Sequence, residues 1–403
     1  MLKGLIFLLG ILLTFIFILG PIQAMDTKKA KIITQIQALG QVVIAVVLEY
    51  SSPIDPSQLS TSLFKVLANR IGERGGELEP RTITKVYTND KPYLASRPTP
   101  GKYVIIELNA NDPNASTFFY DNRGFCIEYE LEYTIIQKTS IKSLDGKILP
   151  PGATITKERI NLIVDDFQNS VYKNSEGREL SYSLFVPKNY DPNESYPLVV
   201  FLHGAGERGY NNQTPLKANE GAVVWAGEFV QKRNPCFVLA PQCPQNSAWT
   251  DLWGGNPFKL TPYLEMVHEL ILELQKKYNI DKNRIYLTGL SMGGFGTWAL
   301  AISHPDTFAA LVPICGGGDP SKANLIAHIP TWVFHAEDDP LVNAKFVRDI
   351  VKALQDLNAP IKYTEYEKGI LTPPVAPTPH ASWILAYKNQ RMIEWLFSQS
   401  KKK

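Results

Sequence analysis

The stretch RIYLTGLSMGGFGTWALA, residues 284–301, decides how the second half of this chain is read. Its first six residues are an apolar run of buried-strand length, and its last eight read as an apolar helix. Between them stands Gly289-Leu290-Ser291-Met292-Gly293. Glycines on both sides of a serine permit the tight turn that lifts a hydroxyl above a sheet, where it can act as a nucleophile. A serine that only capped the helix would leave both glycines without a purpose.

Apolar runs of the same kind recur around it: YPLVVFLHG (196–204), CFVLAP (236–241), AALVPIC (309–315), TWVFHA (331–336) and IKYTEY (361–366). Amphipathic segments separate them. TPYLEMVHELILELQKKY offers Thr261 as N-cap and Pro262 at the first helical position, with Leu264, Val267, Ile271, Leu274 and Tyr278 on one face. NAKFVRDIVKALQDL and SWILAYKNQRMIEWLF repeat the pattern. Strand and helix in alternation build a largely parallel sheet with helices on both faces, whose ligand site lies at the C-terminal strand ends.

A nucleophilic serine needs a base and an orienting acid, which in this kind of sheet follow it in the order acid, then histidine. Of six histidines, His203 precedes the serine, and His268, His304, His328 and His335 sit within or beside the repeating elements. His380 alone lies beyond the strand candidate 361–366, at the end of LTPPVAPTPHASW (371–383). Its prolines fix φ and hold the histidine at low entropic cost. HAEDDPLV supplies Glu337, Asp338 and Asp339 as acids. Neighbouring side chains of an extended segment point in opposite directions, so one of them faces the imidazole and the others are expected as solvated loop charges. The residues alone leave Asp338 and Asp339 open. The oxyanion hole requires one N–H after the nucleophile, from Met292, and one from the loop after an earlier strand, where FLHGAGERG places Ala205. Gly204, Gly206 and Gly209 are expected to admit the substrate to the backbone, and Glu207 and Arg208 to pair and brace the loop.

The first half has another rhythm. QVVIAVVLEY (41–50), TITKVY (82–87), KYVIIELNA (102–110) and FCIEYELEYTII (125–136) are short runs broken by turn residues, with YDNRG (120–124) as a hairpin turn. SLFKVLANRI (62–71) is the one helix candidate. This pattern predicts an immunoglobulin-like β-sandwich over 25–168, ahead of a catalytic domain over 169–403. No histidine falls in it, so a mechanical role is expected: self-association, spacing from a membrane, or holding a polymer.

Residues 4–24 carry no charge, follow Lys3, and contain the Gly20-Pro21 break before Ala24. They read as an export signal cleaved after Ala24, or as a membrane anchor if residues 5–24 are retained. Either places the body of the protein outside the cytoplasmic membrane. Lys plus Arg of 41 against Asp plus Glu of 39 gives a net charge of +2, which offers nothing to a nucleic acid. The four cysteines fit no zinc pattern. Cys236 and Cys243, the closest pair, flank a strand that would hold them roughly 20 Å apart.

Taken together, LHGAGERG, APQCP, GLSMGGFGTW, PICGGGD, WVFHAEDDPLV and HASW resemble the α/β-hydrolase superfamily. The similarity is to phospholipase/carboxylesterases, feruloyl esterases and predicted peptidases, and the preceding sandwich resembles that of thermophilic esterases with an N-terminal immunoglobulin-like domain. The resemblance implies an α/β-hydrolase fold and a serine esterase acting through an acyl-enzyme, without metal or cofactor. It also places the acid on Asp339, through the pattern His335, Ala336, Asp339, Val342. The segment between PICGGG and IPTWVF is too short for a large lid, so soluble short-chain or aryl esters are expected, with Trp225, Trp249 and Trp253 as candidate pocket residues. The alternatives are a serine peptidase, a depolymerase that holds its polymer on the sandwich, and a surface binding protein without catalysis.

Overall fold

The computed structural model describes residues 24–72 and 77–401. The run read as an export signal or anchor lies outside the described residues apart from Ala24. Among those described, no helix is long and apolar enough to cross a membrane. The chain falls into two compact units: residues up to 35, 42–119 and 128–162 form one, and residues 36–41, 120–127 and 163 onward the other.

The first unit is a two-sheet sandwich. Strands Glu158–Asn161, Thr27–Gln37, Gly40–Tyr50, Tyr103–Leu108 and Ile83–Asn89 form one sheet in that order; Gly152–Ile155, Glu130–Gln137, Phe64–Ile71 and Leu78–Arg81 form the other. Val46, Leu48, Val104 and Ile106 from the first share a core with Phe64, Val66, Tyr133 and Ile135 from the second. The helix expected over 62–71 is not formed. Only Thr61–Leu63 makes a 3-10 turn, and Phe64–Ile71 pairs on both sides as a central strand. Phe64, Val66 and Ala68 alternate into the core, a period of two whose packing overrides the helical propensity of Leu, Lys and Ala.

The second unit is built on eight strands: β1 (Phe167–Lys173), β2 (Glu179–Phe185), β3 (Tyr196–Leu202), β4 (Phe237–Gln242), β5 (Ile280–Leu290), β6 (Ala310–Ile314), β7 (Thr331–Ala336) and β8 (Ile361–Tyr366). Their order is β1-β2-β4-β3-β5-β6-β7-β8. The β1/β2 and β2/β4 pairs are antiparallel, and every later pair is parallel. β1 starts two residues ahead of the domain boundary expected at 169.

Both faces of this sheet are covered, which is why its strands read as continuous apolar runs. In β3, Leu198, Val200 and Leu202 belong to one core cluster, and Val199 and Phe201 to another. The first cluster takes in α1 (Pro262–Lys277), α2 (Met292–Ser303) and α3 (Lys345–Asp356) through Leu264, Val267, Trp298, Leu300, Val347 and Ile350. The second takes in α4 (Gln390–Phe397) through Met392, Ile393 and Leu396. Each such side chain contributes about 1.5–3 kcal/mol by leaving water. Two local expectations change. Thr261 sits at the N-cap of α1 in extended conformation, but its hydroxyl donates to the Ala248 carbonyl at 2.7 Å instead of capping. The last helix is interrupted after Trp383–Ala386 and restarts where the Asn389 side chain accepts from the Met392 amide.

The turn from β5 into α2 is the tightest place in this unit. A Cβ on Gly293 would stand 1.9 Å from the Leu202 carbonyl oxygen of β3, and one on Gly289 would stand 2.3 Å from the Gly293 oxygen. Backbone cannot yield as a flexible side chain can. Gly293→Ala is therefore expected to cost about 3 kcal/mol or more, read as the shift in denaturant midpoint against wild type.

Candidate active site

Ser291 bridges β5 and α2 at φ 54°, ψ −119°, outside the range a non-glycine residue ordinarily adopts. Its amide donates to the Ile314 carbonyl at 2.9 Å, and the Cys315 sulfur lies 3.2 Å from the same nitrogen. The turn ties its strand to β6 and leaves the hydroxyl facing the loop that carries His380.

His380 Nε2 lies 2.9 Å from Ser291 Oγ, and its Nδ1 lies 2.8 Å from Asp339 Oδ2. With the carboxylate accepting the Nδ1 proton, Nε2 is left to accept from the serine hydroxyl. The imidazole is buried and stands edge-on to Trp383, with ring centres 5.6 Å apart. Asp339 Oδ1 accepts from the Leu341 and Val342 amides at 2.8 and 3.0 Å. Burial alone would raise the Asp339 carboxyl. The hydrogen bond and charge of His380 and those two amides outweigh it and hold the group below the usual carboxylate range. His335 lies alongside, its Nε2 donating to the Val342 carbonyl at 3.0 Å, and burial lowers its pKa.

Of the other two acids, Glu337 is exposed, as expected of a loop charge, and Asp338 is half-buried, but each also takes a backbone partner. Glu337 Oε2 accepts from the Lys368 amide and Asp338 Oδ2 from the Gly369 amide, each at 3.2 Å. They anchor the start of the segment that ends at His380. Its middle is held by Leu371 and Ala376, which pack with Ala336, Ala381 and Ile384 in a small core, while Pro373, Pro374 and Pro377 stay exposed.

Met292 opens α2, and Ala205 opens the 3-10 turn Ala205–Glu207 after β3. First residues of helices have no carbonyl one turn back to bond, which leaves such N–H groups available to an oxyanion. The buried His203 fixes the base of the Ala205 loop: its Nδ1 donates to the Gly204 carbonyl at 2.6 Å, and its Nε2 accepts from the Cys243 amide at 2.9 Å. Burial drops its pKa to about 3, so it is neutral.

The loop glycines are closely packed, and the expected Glu207–Arg208 pair is not formed. Cβ atoms on Gly204, Gly206 and Gly209 would meet Leu290, Tyr120 and Gln242 respectively, so these glycines allow close packing within the protein. Arg208 turns away from Glu207. It donates to the carbonyls of Ala205 (2.8 Å), Gln245 and Ser247 (both 3.2 Å), with its guanidinium over the rings of Phe125 and Trp253.

Two of the three tryptophans are not pocket residues. Trp225 is fully buried, donates to the Gly221 carbonyl and packs against Tyr387 and Phe397. Trp249 is fully buried against Gly296 and the His203 ring and donates to the His203 carbonyl. Both apolar rings complete the layers beneath the loops. Trp253 is 63% exposed beside Arg208. One cluster has metal-ligating residue types: Glu265, His268 and His304, whose ligand atoms lie within 4.8 Å of one another. It sits at the far end of α2 from Ser291, roughly 18 Å along the helix. Its imidazoles stack nearly parallel, and hydrogen bonds join His304 to Glu265 and His268 to Thr307.

The fold and this geometry define an α/β-hydrolase with a serine, a histidine and an aspartate in a hydrogen-bonded line. Residues 29–150 match the family described as "Esterase Ig-like N-terminal domain", and residues 174–355 match "Putative esterase". A solved thermostable esterase is 45% identical, covers 93% of this chain and 100% of its own, and superposes with a TM-score of 0.89. The chain belongs to this family of esterases with an immunoglobulin-like N-terminal domain and is a carboxylic ester hydrolase. It is also similar to a bifunctional acetylxylan esterase/xylanase of Neocallimastix patriciarum, 26% identical over 185 residues, 46% of this chain and 25% of that protein. With the probable feruloyl esterase C of Aspergillus oryzae it shares 27% over 149 residues, 37% of this chain and 50% of that one. The matches thus span a quarter to a half of the length of these two relatives.

Two outcomes follow from the acid cluster and the proline segment. Asp339→Ala should lower kcat by about 10⁴-fold, and Asp338→Ala, which loses one hydrogen bond to a loop amide, by about fivefold at most. Steady-state kinetics on one ester separates them. Pro377→Gly with Pro379→Gly should cost about 1–2 kcal/mol of stability by freeing the unfolded chain. The same pair should lower kcat about tenfold by loosening His380, as parallel melts and kinetics would show.

Proposed function

We propose that the protein is an exported serine carboxylesterase of soluble short-chain or aryl esters. The observation that carries the proposal is the continuous chain from Ser291 Oγ through His380 to Asp339, with links of 2.9 and 2.8 Å. In this reading His380 Nε2 takes the serine proton as Oγ attacks the ester carbonyl. Asp339 holds the tautomer and stabilises the imidazolium. The Ala205 and Met292 amides receive the oxyanion, each worth about 10²–10³ in rate. His380 returns the proton to the leaving alcohol, and a water activated by the same imidazole then releases the acid.

Two observations support the size of the acyl group. Between β6 and β7 the chain makes only the turn Pro320–Lys322 and the four-residue helix Ala323–Ile326, too little for a large lid. The relatives named for acetylxylan and feruloyl esters act, by those names, on one very small and one aryl acyl group. Export is supported by the uncharged residues 4–24.

The test is a panel of p-nitrophenyl acetate, butyrate and longer acyl esters, a feruloyl ester and a matching p-nitroanilide. Turnover should favour acetate, butyrate or the feruloyl ester over long chains and exceed anilide turnover. Ser291→Ala should lose at least about 10⁴-fold on every ester. Anilide turnover matching the esters would make the protein a peptidase, and full activity in Ser291→Ala would remove the mechanism.

A further inference from the structure

Glu207 is the one acidic side chain in the Ala205 loop, and it turns inward. It is 4% exposed. The Tyr120 hydroxyl donates to Oε1 at 3.5 Å, and Oε2 lies 3.9 Å from His203 Nδ1 with no donor in hydrogen-bonding geometry. The point where a Cβ of Gly204 would stand is 3.0 Å from Oε2 and 3.7 Å from Ser291 Cβ. The carboxyl and the nucleophile therefore approach each other across the peptide that leads to Ala205. Burying such a group with one oxygen unpaired is costly, and a bracing role for the loop needs no acid there, because Arg208, Gln242 and His203 already tie its backbone.

Resting on the serine-esterase reading above, we propose that Glu207 is a positioning residue, wedged between Tyr120, His203 and Ser291, that sets the Gly204–Ala205 peptide so that its N–H meets the oxyanion. In this proposal the carboxyl does so in its neutral form, below its pKa. Burial pushes its pKa up to about 7, against the amides of Glu207 and Gly204, the Tyr120 hydroxyl and the charge of His380. The titratable groups around it are Tyr120 from the hairpin at 120–127, itself beside Cys126, His203 after β3, Arg208 in the same turn, Cys315 after β6, and His380. Above its pKa the buried carboxylate stands beside the place where the oxyanion's negative charge develops. The sign follows: turnover should fall as Glu207 ionises.

The experiment uses the full chain and p-nitrophenyl acetate, with kcat and KM measured for wild type, Glu207→Gln, Glu207→Ala and Ser291→Ala from about pH 5 to about pH 9. Glu207→Ala should lose about 10- to 100-fold in kcat with KM nearly unchanged, as expected when a transition-state donor is misplaced. Glu207→Gln, which keeps the shape and cannot ionise, should recover most of that loss and lack the decline near pH 7 expected of wild type. Wild-type kcat in Glu207→Ala would overturn the inference, and so would a Glu207→Gln profile that still declines as wild type does. Where either of those results comes with an inactive Ser291→Ala, only the inference about Glu207 fails; where it comes with an active Ser291→Ala, the esterase mechanism fails with it.

Discussion

Ser291 is held at positive φ, and the rest of the catalytic unit is arranged so that it can be. A non-glycine residue in that region costs about 1–3 kcal/mol, and it persists only where the surroundings over-determine it. Here they do. The Ser291 amide is bonded to Ile314 on β6, Gly293 lies against β3, and Gly294 lies against the Ile314 oxygen and Gly316. Three adjacent strands thus grip one turn. The consequence is chemical, since the conformation that lifts the hydroxyl also starts α2 and presents the Met292 amide beside it.

Asp339 and His380 come from loops and not from the gripped turn, and the chain ties those loops down in two ways. Asp339 sits just past β7 with both carboxylate oxygens engaged. His380 lies fourteen residues beyond the end of β8, in a segment tied down by Glu337, Asp338 and the packing of Leu371 and Ala376. Three successive acids therefore serve one end: Asp339 orients the imidazole, and the other two hold the segment that delivers it.

Much of this was legible in the residues because it is local. The strand–turn–helix around Ser291, the alternating elements and the chain order of serine, acid and histidine are written in short windows. Asp338 and Asp339 were separable only by a resemblance, since two neighbouring carboxylates look alike until a partner takes one of them. Trp225 and Trp249 misled because a tryptophan following a strand end serves equally well as a wall or as packing. The central strand over Phe64–Ile71 was hidden for a related reason: one of its two partners, Glu130–Gln137, lies far away in sequence, with Ile71 pairing Glu130 and Phe64 pairing Gln137. The inward turn of Glu207 left no sequence signal, because its meaning depends on Tyr120 and His203.

The central claim is that Ser291 forms the covalent intermediate. The direct measurement is intact-mass analysis and peptide mapping after reaction with a fluorophosphonate. The account predicts one adduct per chain, on Ser291, and none in His380→Ala on the same timescale. An adduct on another residue, or an unmodified Ser291 in an active enzyme, would contradict it.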